Sequence, residues 1–187
     1  MVINIELGKF AKDFNKYANI AHKTYISYNQ CTYVLQSIES PLNIEYCNMA
    51  GIEILQTNHL GGTIVLSPGS IGFARLDYDI ENKFSTAFRN AIIDFLCSKG
   101  LSATYDGNDI LINGIYKPIG ISKVVLPNGI VYYAAIFSAT ADRELINKIC
   151  TKPANKIPAG LVDFGISMSE LRNFIIDFVD KYDNEVI

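Results

Sequence analysis

The order of periodic segments predicts an α+β fold for this chain, with a mixed, mainly antiparallel sheet flanked by helices. Three observations carry the prediction. Helical and strand-like stretches follow one another as helix, strands, helix, strands, helices. Tight turns such as Pro127-Asn128-Gly129 join adjacent strand-like stretches, as antiparallel pairing requires. The 187 residues are 49% hydrophobic and 19% charged, enough apolar material for a large buried core.

Leu7, Phe10, Ala11, Phe14, Tyr17, Ala18 and Ala21 recur at helical spacing, which predicts an amphipathic helix over residues 6–22. Residues 25–36 are rich in aromatic and β-branched side chains and read as strands interrupted at Asn29-Gln30. Pro41 opens a short helix that Gly51 ends. Residues 53–56 and 63–66 read as two strands around Asn58-His59-Leu60-Gly61-Gly62. After the Pro68-Gly69 turn a third strand covers 70–76. Asp79 is placed to cap a long helix whose inner face is Phe84, Phe88, Ala91, Ile92, Phe95 and Leu96, closed by Lys99-Gly100. Strands follow at about 102–105, 109–113, 117–126 and 130–139, then a helix at 141–149 and a Pro/Gly/Lys loop over 151–165. Ser167 and Glu170 have capping-box spacing before a final helix with Leu171, Phe174, Ile175, Phe178 and Val179 on one face. No repeat, linker or low-complexity tract interrupts the chain, so residues 1–187 read as a single domain with no accessory C-terminal domain.

Composition removes several function classes. A net charge of −3 provides no basic surface for nucleic acid. No run approaches the roughly 20 apolar residues of a membrane span, and Met1 opens no signal-peptide pattern, so a cytoplasmic protein is expected. Cys31, Cys47, Cys97 and Cys150 are scattered and only His22 and His59 accompany them, which is not zinc-ligand spacing. Each cysteine lies in an apolar segment and reads as a buried free thiol. Lys148 and Lys152 beside Cys150 offer a way to lower its pKa, but an ordinary buried thiol is the preferred reading. No nucleophile can be placed beside His59.

The chemistry concentrates in residues 107–122. Asn108-Asp109 before a strand reads either as a turn bonding its own backbone or as a carboxylate for Mg²⁺. Lys117 reads either as a solvated side chain or as a cation held among Ile112, Ile115, Ile119 and Ile121, where it needs an anionic partner. Gly61-Gly62 serves either a plain hairpin turn or close approach of backbone N–H groups to a ligand.

Together these pieces resemble the catalytic domain of the lipoate–protein ligase and biotin–protein ligase superfamily, closest to the lipoate type, over roughly residues 5–182. Against that family's Arg-Arg-x-Ser-Gly-Gly-Gly-Ala-Val-x-His-x-x-Gly block, residues 56–69 match at Gly61, Gly62, Pro68 and Gly69. Against its Asn-Asp, short strand and Lys-Ile-Ser-Gly-Ser block, Asn108, Asp109, Lys117 and Gly120 match. Residues 155–162, with Lys156, resemble its Lys-containing loop before the last helix. The resemblance implies the fold of class II aminoacyl-tRNA synthetases and biotin/lipoate ligases. It implies ATP-dependent activation of lipoate or a related small-molecule acid as an acyl-adenylate. Transfer to a lysine of a lipoyl-carrier domain protein would follow, with no nucleic acid or membrane partner. Lys117 would be catalytic. Gly61, Gly62, Thr63, Asn108, Asp109, Gly120 and Ser122 would bind ATP and acid, and Asp109 would position Mg²⁺.

The chain departs from the pattern at Gln56-Thr57 for the Arg pair, Leu60 for the first Gly, Leu66 for the His, and Pro118 beside the Lys. A catalytically weak or inactive binding or protein-interaction module is therefore the alternative. A biotin ligase is the second alternative, from Lys117-Pro-Ile-Gly120-Ile121.

Overall fold

The computed structural model describes residues 2–36, 42–56, 63–79, 81–152 and 154–185. In chain order the elements are β1 (Val2–Glu6), α1 (Leu7–Lys12), α2 (Phe14–Tyr17), β2 (Lys23–Tyr28), β3 (Tyr33–Gln36), α3 (Ile44–Met49), β4 (Glu53–Gln56), β5 (Ile64–Leu66) and β6 (Ile71–Asp77). There follow α4 (Lys83–Ser98), β7 (Ala103–Asp106), β8 (Asp109–Ile112), β9 (Tyr116–Val125), β10 (Val131–Phe137), α5 (Arg143–Ile149), β11 (Ile157–Pro158) and α6 (Met168–Glu185).

Among the described residues, the main sheet runs β1-β2-β6-β10-β9-β8-β7, with β11 added on β9. Its pairs are antiparallel except β1–β2 and β9–β11, so the sheet is mixed and mainly antiparallel. A second sheet has the order β4-β3-β5. Strands 53–56 and 63–66 therefore flank β3, one parallel and one antiparallel.

β10 is buried at every position because both faces of the main sheet are covered. Tyr133, Ala135 and Phe137 face the layer of α4 and α6, packing with Phe73, Phe88, Ile92, Leu96, Ile110, Ile119, Leu171, Ile175 and Val179. Tyr132 and Ala134 face α1 and α2 through Phe10 and Phe14. Ile136 meets Leu7 and the small sheet through Leu35, Leu55 and Leu66.

Arg75 on β6 joins these layers at one end. Its guanidinium pairs with Asp77 and with Asp183 of α6, both at 2.8 Å, and lies 4.2 Å from the Phe84 ring centroid of α4. The side chain is almost wholly out of solvent. No helix among the described residues is long and apolar enough to cross a membrane.

Four local expectations change. The helix expected over 6–22 begins at Leu7, because the Glu6 carboxylate accepts from the Gly8 and Lys9 N–H groups. It breaks at Asp13, and Val2–Glu6 instead forms a strand parallel to β2. The capping box at 167–170 is not the one expected: Ser167 hydrogen-bonds Ser169, and Glu170 pairs with Lys99. The cysteines are free, but Cys31 and Cys97 are exposed rather than buried. Asp79 does cap α4, accepting from Phe84 N–H and Ser85 N–H at 3.1 Å each.

Candidate active site

β8 and β9 form the hairpin read from residues 107–122, and it contains a bulge. Ile110 pairs with Ile119, but Ile112 pairs with Tyr116, so two steps on β8 span three on β9. Tyr116 and Ile119 both pack toward the helical layer. The extra residue between them turns Lys117 and Pro118 together toward a cleft on the other face, which both line. This answers the difficulty of a proline in a central strand. Ser138 N–H donates to the Pro118 carbonyl at 2.9 Å. The Ser138 carbonyl accepts from Leu161 N–H at 2.9 Å, where a residue at 118 with its own N–H would compete.

The cleft has a volume of ≈ 610 Å³. Ile64, Val65, Ile136 and Ile146 give it apolar walls, and Asp109, Lys117 and Lys156 give it a charged end. Lys117 Nζ lies 2.8 Å from Asp109 Oδ1; the lysine is 41% exposed and the carboxylate 15%. Lys156, delivered by β11 pairing with β9, sits 2.9 Å from Asp109 Oδ2 and 2.8 Å from Asp106 Oδ2. Hydrogen bonds that Lys156 donates to Asp106 and then to Asp109 raise its pKa above the ordinary lysine value. A raised lysine pKa contributes stability that is fully present below the unfolded value and is lost only as pH rises through the folded one. The pairing therefore holds at neutral pH.

Of the residues singled out from the sequence, Thr63, Asp109, Lys117 and Gly120 line the cleft. Among the described residues Thr63 Oγ1 is buried with no hydrogen-bond partner, an unsatisfied polar atom that a ligand would satisfy. Asn108 is exposed and acts through its backbone, accepting from Ile121 N–H at 2.6 Å. Ser122 lies further along β9 and does not line the cleft. Gly61, Gly62, His59 and Leu60 lie outside the described residues. Lys156 was seen in the sequence as part of a loop but not as a site residue. Its link to Asp109 crosses 47 positions, and no local period signals it.

Gly120 pairs with Asp109 across the strands. A Cβ there would stand 3.8 Å from Lys117 Cε and 3.9 Å from Asp109 Oδ1, ordinary contact distances. Gly120→Ala is therefore expected to melt close to the parent temperature. Gly120→Val has to displace Lys117 and is expected to lose about 1–3 kcal/mol in a denaturation series.

Cys150 lines the cleft at the end of α5, and burial, then the neighbouring Cys47, pushes its thiol pKa up. This agrees with the reading of Cys150 as an ordinary buried thiol and not with a pKa lowered by Lys148 and Lys152. Iodoacetamide at pH 8, followed by peptide mass spectrometry, should label exposed Cys31 and Cys97 well before Cys150. Equal labelling rates would contradict this.

Among the described residues, no group of three His, Cys, Asp or Glu is placed to hold a metal ion. Asp109 is the one acidic residue on the cleft wall among them. A single carboxylate suits Mg²⁺ that arrives with nucleotide phosphates, an ion that commonly keeps one or two protein carboxylates plus phosphate oxygens.

A mixed sheet backed by two long helices, a small sheet opposite and a lysine-bearing cleft between define a fold of the lipoate–protein ligase catalytic-domain type. A bipartite lipoate–protein ligase from Thermoplasma acidophilum superposes with a TM-score of 0.76 at 19% identity, over 94% of this chain and 80% of that one. P. falciparum LipL1, solved in complex with lipoate, gives 0.76 at 16% identity, over 98% of this chain and 60% of that one. A lipoate–protein ligase A bound with ATP gives 0.71 at 20% identity, over 95% and 81%. No family model and no curated protein sequence matches the chain.

Proposed function

We propose that this chain activates lipoate, or a related acid, with ATP and transfers the acyl group to a lysine of a carrier domain. The observation that carries the reading is the Lys117–Asp109 pair, 2.8 Å apart at the charged end of an otherwise apolar cleft. In the first step a carboxylate oxygen of the acid attacks the α-phosphorus of ATP, and pyrophosphate leaves. In the second, the carrier lysine's amine attacks the acyl carbonyl carbon, and AMP leaves with the C–O bond electrons while the amine loses a proton.

Both steps crowd negative charge into one place, so a fixed cation is the chief requirement. Lys117 is half-exposed and can exchange Asp109 for a ligand oxygen. Lys156 stays on Asp109 when Lys117 turns away, so the carboxylate is not left unpaired. Gln56 carries no charge where the ligase pattern has arginine, and Lys156 supplies a second ammonium from the opposite loop. Mg²⁺ held at Asp109 would neutralise phosphate charge.

Three structural likenesses support the choice of ligand: one neighbour was solved with lipoate, one with ATP, and one belongs to a lipoylation system described with its E2 lipoyl domain. The test is lipoate-dependent exchange of labelled pyrophosphate into ATP, followed by the mass of a lipoyl-carrier domain after incubation. Exchange and a one-lipoyl mass gain are expected. Ligand binding without either, beside a working reference ligase, would favour the binding-module alternative.

A further inference from the structure

The cross-strand register places Asp109, Gly120, Ile136, Gly72 and Ser27 in one row across β8, β9, β10, β6 and β2. Paired residues in a row share a face of the sheet. Gly120 leaves a hollow on this face, the space directly over Gly72 is filled by the Ser27 and Leu7 side chains, and Ile136 stands between the two glycines. The hollow over Gly120 opens into the cleft. Beyond Ile136 a separate apolar cavity of ≈ 40 Å³ is lined by Leu7, Phe10, Leu35, Gly72, Ala134 and Ile136 among others. Ile136 lines both, is 6% exposed, and has its Cδ1 3.5 Å from where a Gly72 Cβ would stand. Neighbouring strands lie about 5 Å apart, so the second cavity begins roughly 10 Å along the row from Gly120.

We infer that Ile136 is the floor of the apolar end of the cleft and limits the chain length of the acid that binds with its carboxylate at Lys117. The small cavity behind it is unused space in the same line. This rests on the acid-binding function proposed above and adds the residue that sets its specificity. The ligand class is a medium-chain carboxylic acid, and the selection is steric. Apolar pockets discriminate a single methylene by about 10–200-fold, so a partition of one isoleucine is enough to set a length limit.

The experiment is calorimetric titration of the whole protein with hexanoate, octanoate, decanoate and dodecanoate, in the presence of ATP. The parent should bind the shorter acids and weaken by about tenfold or more where the chain reaches Ile136. Ile136→Ala opens the partition and should shift the preferred length upward, raising the longer-to-shorter affinity ratio about tenfold or more. Because Ile136 is buried, Ile136→Val is measured alongside; it should fold like the parent and shift the ratio the same way by a smaller factor. If both variants fold, bind octanoate and keep the parent's length profile, the partition is overturned while the acid-binding function stands. If the folded parent binds none of the four acids, the acid-binding function falls, and the partition with it.

Discussion

Lys117→Ala is expected to leave the fold intact and to cut lipoate-dependent pyrophosphate exchange by about 10²-fold or more. The two halves of this expectation have different physical origins. The Lys117–Asp109 pair is 41% exposed on the lysine side, and such pairs contribute under about 1 kcal/mol to stability. Asp109 also keeps its second partner, Lys156, so no carboxylate is stranded. In the proposed reaction the same ammonium would face charge that develops within a partly desolvated cleft, where a single donor is worth about 10²–10³ in rate. Lys117→Arg should not restore activity. A planar guanidinium has a different reach and donor geometry from an ammonium on a flexible stem. The measurement is the exchange rate with the melting temperature beside it. Near-parent exchange by the alanine variant would remove Lys117 from the chemistry.

Arg75→Met should cost about 2–3 kcal/mol and lower the melting temperature by roughly 10 °C, with no direct effect on the cleft. Methionine keeps the apolar stem but removes the charge that faces Asp77 and Asp183 and stacks on Phe84. Breaking a fully buried pair costs about 3–5 kcal/mol; the figure here is lower because solvent partly reaches both carboxylates. A thermal melt within 2 °C of the parent would mean the network contributes little beyond packing. The contrast between the two variants separates a residue that holds the layers together from one proposed to meet the ligand.

The strand content was legible because its signals are local. β-branched and aromatic runs mark β2, β6 and β10, and Pro127-Asn128-Gly129 marks the turn between β9 and β10. The Asp109–Lys117 hairpin was legible for the same reason, since eight residues and a Gly-bearing turn bring the two side chains together. What escaped depends on register or on distant partners. Tyr25 pairs with Ile3 in a parallel arrangement, and no local pattern distinguishes that edge strand from the start of a helix. The bulge at Lys117-Pro118 shows only when β9 is laid against β8. Lys156 reaches Asp109 through two residues of parallel pairing that carry no periodic signature. In the row containing Gly120, Ile136 and Gly72, the first two share the β9–β10 hairpin but Gly72 comes from distant β6, so the sequence alone does not place the three together.

The short β9–β11 pairing also sets how the cleft responds to thermal fluctuation. β8 and β9 are joined by a tight turn and a bulged ladder, whereas β11 is held by two residue pairs beside the Lys156 ion pairs. Local opening follows the weakest cooperative unit, and here that unit is the strip carrying Lys156. Amide protons of Ile157 and Ala159, bonded to Ile115 and Lys117 carbonyls, should exchange with deuterium well before those of β9 and β10. One wall of the cleft can thus detach and reseat while the hairpin with Asp109 and Lys117 stays folded, giving a bulky ligand a way in that leaves the sheet intact.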